Sequence, residues 1–128
     1  MMPNLRTASA LAALTSLLAT VTIAHHSIAS FDRDNPVVVE GTVKKFHLAN
    51  PHAWIFVVVP TEQGATEEWA LEGTAGAGLL RAGYTKYTLK PGERVRLLVA
   101  PRRDGKPGGE WTRIISVDGK PMQMNRPE

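Results

Sequence analysis

Residues 36–45 read Pro-Val-Val-Val-Glu-Gly-Thr-Val-Lys-Lys, with Val37, Val39 and Val43 on one parity and Glu40, Thr42 and Lys44 on the other. A period of two with β-branched residues on one side predicts a half-buried strand. Gly41 falls on the buried parity and invites a bulge or tight bend of the kind small barrels use at their corners. Residues 53–59, Ala-Trp-Ile-Phe-Val-Val-Val, are apolar on both parities. They predict a central strand covered on both faces and ended by Pro60. Residues 68–72 alternate cleanly and place Trp69 and Leu71 inward, so the three segments form a meander.

The pattern then changes period. Residues 73–83 hold three internal glycines but also Leu79 and Leu80, which predicts a short helix with Thr74 as its cap and Gly83 as its close. After the turn at residues 90–93, residues 94–100 alternate again with Val95, Leu97 and Val99 inward. A polar loop carrying Arg102, Arg103 and Asp104-Gly105 leads to a last strand over about residues 110–117. Asp118-Gly119 then turns the chain into a tail that can pair briefly through Met122 and Met124. The order β-β-β-α-β-β in about 100 residues is that of an OB-fold-like Greek-key barrel, all-β with one short helix. An antiparallel sandwich of the same strands is the alternative. The expected core is Val39, Val43, Ile55, Val57, Trp69, Leu71, Leu79, Val95, Leu97 and Val99.

Ahead of these elements, a short start carrying Arg6 runs into an uncharged stretch rich in Ala and Leu, and Thr22-Ile23-Ala24 closes it with a small residue. This is the pattern of a secretory signal peptide, cut after Ala24 and exporting the protein to the periplasm or beyond. A cut after Ala29 and an uncleaved anchor are the alternatives, and the apolar run is shorter than the ~20 residues a bilayer span needs. Removing residues 1–24, with Arg6 their only charge, leaves residues 25–128: 104 residues with 14 basic and 12 acidic side chains. The net charge therefore falls from +3 to +2. That segment is expected to be one small β-barrel domain behind a short flexible amino-terminal stretch, without a stable membrane anchor. Near-balanced charge and export both argue against a nucleic-acid partner. The chain has no cysteine, which excludes zinc ribbons, iron-sulfur ligation, disulfide scaffolds and thiol catalysis.

Histidine is the one concentrated ligand type: His25, His26, His47 and His52 all fall in the first half of the processed chain. After cleavage at Ala24, the free α-amine and ring Nδ1 of His25 can close a six-membered chelate on one metal ion. A further imidazole, from His26 or His52, would complete a nitrogen set that favours Cu(II). His52 lies in Asn50-Pro-His-Ala-Trp54, where the proline favours a turn that presents the ring at a barrel rim. Asn50 and Trp54 in that turn, with Arg102 and Arg103 in the loop OB-folds use for ligands, are candidate ligand-binding residues, and Trp54 and Trp111 are possible stacking surfaces. A satisfied turn histidine packed on Trp54 is the plain structural alternative.

Ser27 and Ser30 lack an orienting acid and any Gly-x-Ser-x-Gly setting, and no phosphate-binding glycine loop follows a strand. Glu67, Glu68 and Glu72 read as a solvated face. No catalytic residue is assigned.

His-His-Ser at residues 25–27, Asn-Pro-His-Ala-Trp at 50–54, Trp69 with Leu71-Glu72, Leu-Leu-Arg-Ala-Gly at 79–83 and Leu-Lys-Pro-Gly at 89–92 together resemble the small exported bacterial proteins grouped as domain of unknown function 6152. The resemblance covers nearly all of residues 24–121. The chain departs from the group at residues 73–78, where Gly-Thr-Ala-Gly-Ala-Gly replaces a more polar segment. The resemblance implies export and a small β-rich domain, and it transfers no catalytic residue. Two functions follow as expectations: a Cu(II)-binding module, or a metal-free binding domain for a protein, peptide or small ligand.

Overall fold

The computed structural model describes residues 29–122. Its elements are β1 (Val37–His47), β2 (Trp54–Pro60), β3 (Thr66–Glu72), a short helix α1 (Gly76–Arg81), β4 (Arg94–Pro101), β5 (Gly109–Val117) and a two-residue β6 (Lys120–Pro121). The sheet runs β3-β2-β1-β4-β5-β6, and a parallel contact between β3 and β5 closes the ring. The chain therefore forms the expected small Greek-key barrel with a helix between its third and fourth strands. A sandwich would leave β3 and β5 in separate layers. The register shows how steeply the strands tilt. Carried from His47 through Trp54, Glu72, Glu110 and Ala100, it returns to β1 beside Pro36, eleven residues earlier, and a large shear of this kind means strongly tilted strands.

β1 serves two neighbours in turn. Residues 37–42 pair with β4 and residues 42–47 with β2. Gly41 lies just before the residue where the two pairings meet, and a Cβ there would sit 2.8 Å from the Val58 carbonyl oxygen and 3.3 Å from a Val59 methyl. The bulge itself lies later, at Lys44 between the pairs Val43–Val57 and Lys45–Phe56. It shifts the inward parity by one, so Phe46 is buried after Val39 and Val43. At the other end of β1, Val37 is exposed although it pairs with Val99 of β4.

Nine of the ten expected core residues are buried, and Trp69 packs against them from a half-buried position. Phe46, Ala53, Tyr84, Leu89, Trp111 and Ile114 complete the core. Trp111 was expected as a surface for stacking; it is instead fully buried against Tyr84, with ring centroids 6.1 Å apart. β5 is irregular beside β4, with register shifts on either side of the Leu97 and Leu98 pairs, and Gly109, Glu110 and Trp111 are all buried in succession. Simple alternation therefore does not locate its inner face.

β2 also differs from expectation. Ile55 and Val57 are fully buried, but Trp54, Phe56 and Val58 on the opposite parity remain half-buried. No second layer covers that face among the described residues. The helix lies at the barrel end instead, with Gly76 and Leu79 buried. Gly83 closes the helix at φ 92°, as expected. Thr74 does not cap it: the N-cap is Ala75, without a side-chain bond. The helix's first amides find partners in the β1–β2 loop instead. At the carboxyl end, the Met122 amide donates to the Ile115 carbonyl at 2.9 Å, whereas Met124 lies outside the described residues.

Candidate functional site

The loop between β1 and β2, residues 48–53, is fastened to the start of the helix. The Ala53 amide donates to the Thr74 carbonyl at 2.9 Å, and the Gly73 amide returns a bond to the Ala53 carbonyl at 2.7 Å. Farther along, the Gly76 amide donates to the Ala49 carbonyl at 2.8 Å, and the Ala77 amide to Asn50 Oδ1 at 3.0 Å. Asn50 thus caps α1 from another segment, satisfying one of the donors that a helix start leaves open. Gly76 makes the close approach possible, because a Cβ there would fall 2.7 Å from the Ala49 carbonyl oxygen, while a side chain at Gly73 would run into the Trp111 indole.

His52 is held within this fastened loop. Its Nδ1 lies 3.1 Å from the Gly73 carbonyl oxygen and 3.1 Å from Glu72 Oε1. Both neighbours are acceptors, so the ring proton belongs on Nδ1, and Nε2 of the neutral ring carries a lone pair. A carbonyl or carboxylate on one ring nitrogen is the arrangement that orients a metal-ligating imidazole and raises its basicity. The side chain of His52 is 46% exposed while that of Glu72 is 15% exposed. Glu72 is therefore not part of a solvated face, as its alternation predicted: it lies beside Trp54 in the β2–β3 register and turns its carboxylate to His52. Glu67 and Glu68 are exposed as expected, and Glu68 pairs with Lys44 at 2.6 Å.

Outward from His52 runs an aromatic pair. Trp54 and Phe56 stack with centroids 6.3 Å apart and planes inclined by 23°. In the sheet, Trp54 lies between His47 and Glu72, and Phe56 between Lys45 and Ala70. His47, Ala49, Asn50, Pro51, His52, Trp54 and Phe56 line one open groove. Neither His47 nor Phe56 was among the residues expected to form a site. The signal that would have found them is the even spacing of His52, Trp54 and Phe56 on one strand face, with His47 across the turn.

The loop after β4, residues 102–108, borders the far edge of this face. A Cβ at Gly108 would fall 3.1 Å from the Ala70 carbonyl oxygen and 3.3 Å from Arg102 Cδ, so the loop's closing end lies against β3. Arg102 Nε donates to Asp104 Oδ1 at 2.9 Å, and this bond holds the Asp104 carboxyl well below the usual carboxylate range. Arg103 lies 3.7 Å from Asp32. Both arginines thus already have acidic neighbours, and the structure does not gather them with Asn50 and Trp54 into one pocket. His25 and His26 lie outside the described residues, and so does the cleavage site. Among the described residues, no group of three or more His, Cys, Asp or Glu side chains is placed to hold a metal ion.

The sequence pattern of the family of unknown function DUF6152 matches residues 13–111. The chain belongs to that family. Neither the curated proteins nor the solved structures compared with it give a match.

Proposed function

We propose that this protein is an exported, non-catalytic barrel that binds Cu(II) at its processed amino terminus, with His52 as the ligand supplied by the fold. The observation that carries this reading is the His52 ring, fixed through Nδ1 by Glu72 and Gly73 and offering Nε2. In the processed chain, the α-amine and Nδ1 of His25 contribute a chelate, His26 is an alternative imidazole, and nitrogen donors of this kind suit Cu(II) over harder cations. The α-amine has an ordinary pKa of about 7.7 to 8.0, so binding at neutral pH releases its proton. Intact-mass measurement of the exported protein, followed by Cu(II) titration with pH-stat detection, tests the reading. A chain starting at His25 that binds one ion with proton release supports it; a chain starting at Ser30 removes the chelate and with it the proposal.

A second reading is favoured by the stacked Trp54 and Phe56, half-buried on an open strand face. OB-type barrels take ligands on this face, between the loops that here are residues 48–53 and 102–108. By analogy of fold, the groove would hold a peptide or small ligand without metal. A ligand that shifts the Trp54 indole resonance with equal affinity in the presence and absence of chelator would favour this reading.

A further inference from the structure

We infer that the outer face of β1, β4 and β5 carries a binding site for a small hydroxy acid, apart from the β2 face that presents His52. The strand register builds this site as two rungs. Glu40, Arg96 and Ser116 lie side by side on β1, β4 and β5, and Thr42 lies beside Arg94 on the next rung. Asp118 continues the second rung: its amide donates to the Arg94 carbonyl at 2.7 Å, and its Oδ1 accepts the Arg94 amide at 2.8 Å. The inward residues of β1 and β4, Val39, Val43, Val95 and Leu97, are buried in the core, so Glu40, Thr42, Arg94 and Arg96 belong to the opposite face. All six side chains line one open cavity of about 580 Å³, a size in the ~300–1,000 Å³ range of small-ligand sites.

The hydrogen bonds already made decide what this cavity can take. Arg96 Nε donates to Glu40 Oε1 at 2.7 Å, which leaves its two terminal nitrogens. Among the described residues, the Arg94 guanidinium and the Thr42 and Ser116 hydroxyls have no partner. Of these residues Ser116 is buried, at 9% exposure, and a buried hydroxyl without a partner costs free energy. Thr42 and Ser116 occupy diagonal corners across the two arginines, at separations that long side chains bridge. Donors from four residues therefore surround the middle of the cavity. Glu40 and Asp118 occupy the other two corners, and each keeps one carboxylate oxygen outside these bonds.

A carboxylate suits the middle, because a guanidinium fork matches its two oxygens. A hydroxyl of the same ligand suits an acidic corner, where it donates to Glu40 or Asp118. Those corners also set the charge of the ligand. Two carboxylates balance the two arginines, so a dianion meets more repulsion here than a monoanion does. This disfavours a phosphate or sulfate group and leaves a small monocarboxylic hydroxy acid as the class.

Lactate is the probe, added to isotope-labelled protein in place of chloride at constant ionic strength while the Ser116 and Thr42 amides and the Arg94 Nε resonance are followed. Saturable shifts centred on these residues are expected. Affinity should fall about tenfold in Ser116→Ala, the loss of one hydrogen bond to a charged group. Arg94→Gln, at an exposed position, should abolish saturation while the remaining amide spectrum stays native. Acetate, which lacks the hydroxyl, and sulfate, which carries a second charge, should both bind more weakly than lactate. Shifts that never saturate, or equal lactate affinity in a natively folded Ser116→Ala protein, would overturn the site. Acetate binding as well as lactate would overturn the part given to Glu40 and Asp118, and sulfate binding more tightly would overturn the hydroxy-acid assignment.

Discussion

His52 Nδ1 lies 3.1 Å from Glu72 Oε1, across the first rung of β2 and β3. This contact sets which ring nitrogen faces outward, so Glu72 acts on any ligand through His52. Replacing Glu72 by Ala should reduce Cu(II) affinity by about 10- to 100-fold, the usual effect of losing an outer partner of a ligating histidine. Glu72→Gln keeps an acceptor for Nδ1–H and should lose less. Competition titration against a chelator measures both, and equal loss in the two variants would mean that charge alone matters.

Leu97 is fully buried on β4 between Val39 and Ile114. Leu97→Ala should lower unfolding stability by about 2 to 5 kcal/mol, through lost burial and the cavity left behind. Urea denaturation reads this directly. A change under about 0.5 kcal/mol would be the signature of a surface position.

Asn50 reaches out of its loop to the Ala77 amide. Asn50→Ala should cost about 0.5 to 2 kcal/mol, the scale of a lost helix cap. It should also loosen the loop that holds His52, and amide exchange at Ala77 should accelerate. Unchanged exchange there would show that the cap is replaced by solvent without consequence.

Much of this fold was legible in the alternation of β1, β2 and β4, since a period of two maps directly onto the two faces of a strand. Phe46 and Trp111 were not legible, for a common reason: the bulge in β1 and the irregular pairing of β5 break the period, and neither is marked by a glycine at the shifted residue. Of the site, the Asn-Pro-His-Ala-Trp turn announced His52 and Trp54. Glu72 did not announce itself, because its partner lies 20 residues away and only the β2–β3 register brings them together. The assignment of Asn50 to a ligand could not foresee that its carboxamide closes a helix lacking a cap of its own.

Asp104 is held deprotonated chiefly by its hydrogen bonds to the Arg102 guanidinium and the Lys106 amide. Its carboxyl should titrate below the ordinary value of about 3.9. A lowered folded-state pKa stabilises the folded protein above the unfolded value, and that contribution is lost as the pH falls toward the lowered one. Because the pair lies at the surface, salt should weaken it. Carboxyl chemical shifts followed against pH should show the depressed midpoint, and Arg102→Ala should return it toward the ordinary value. A midpoint unaltered by that substitution would show that the loop backbone, not the guanidinium, is responsible.

The metal reading is tested most directly by a Cu(II) competition titration, monitored by electron paramagnetic resonance, on three forms: the chain beginning at His25, the same chain extended by one Met, and His52→Ala. The extended form keeps every imidazole but moves the α-amine out of the chelate with His25 Nδ1, while His52→Ala keeps the chelate and removes the ligand held by Glu72 and Gly73. The account predicts one tightly bound ion with nitrogen hyperfine structure in the first form, and weaker binding with altered spectra in both others. Equal affinity and identical spectra across all three would contradict it.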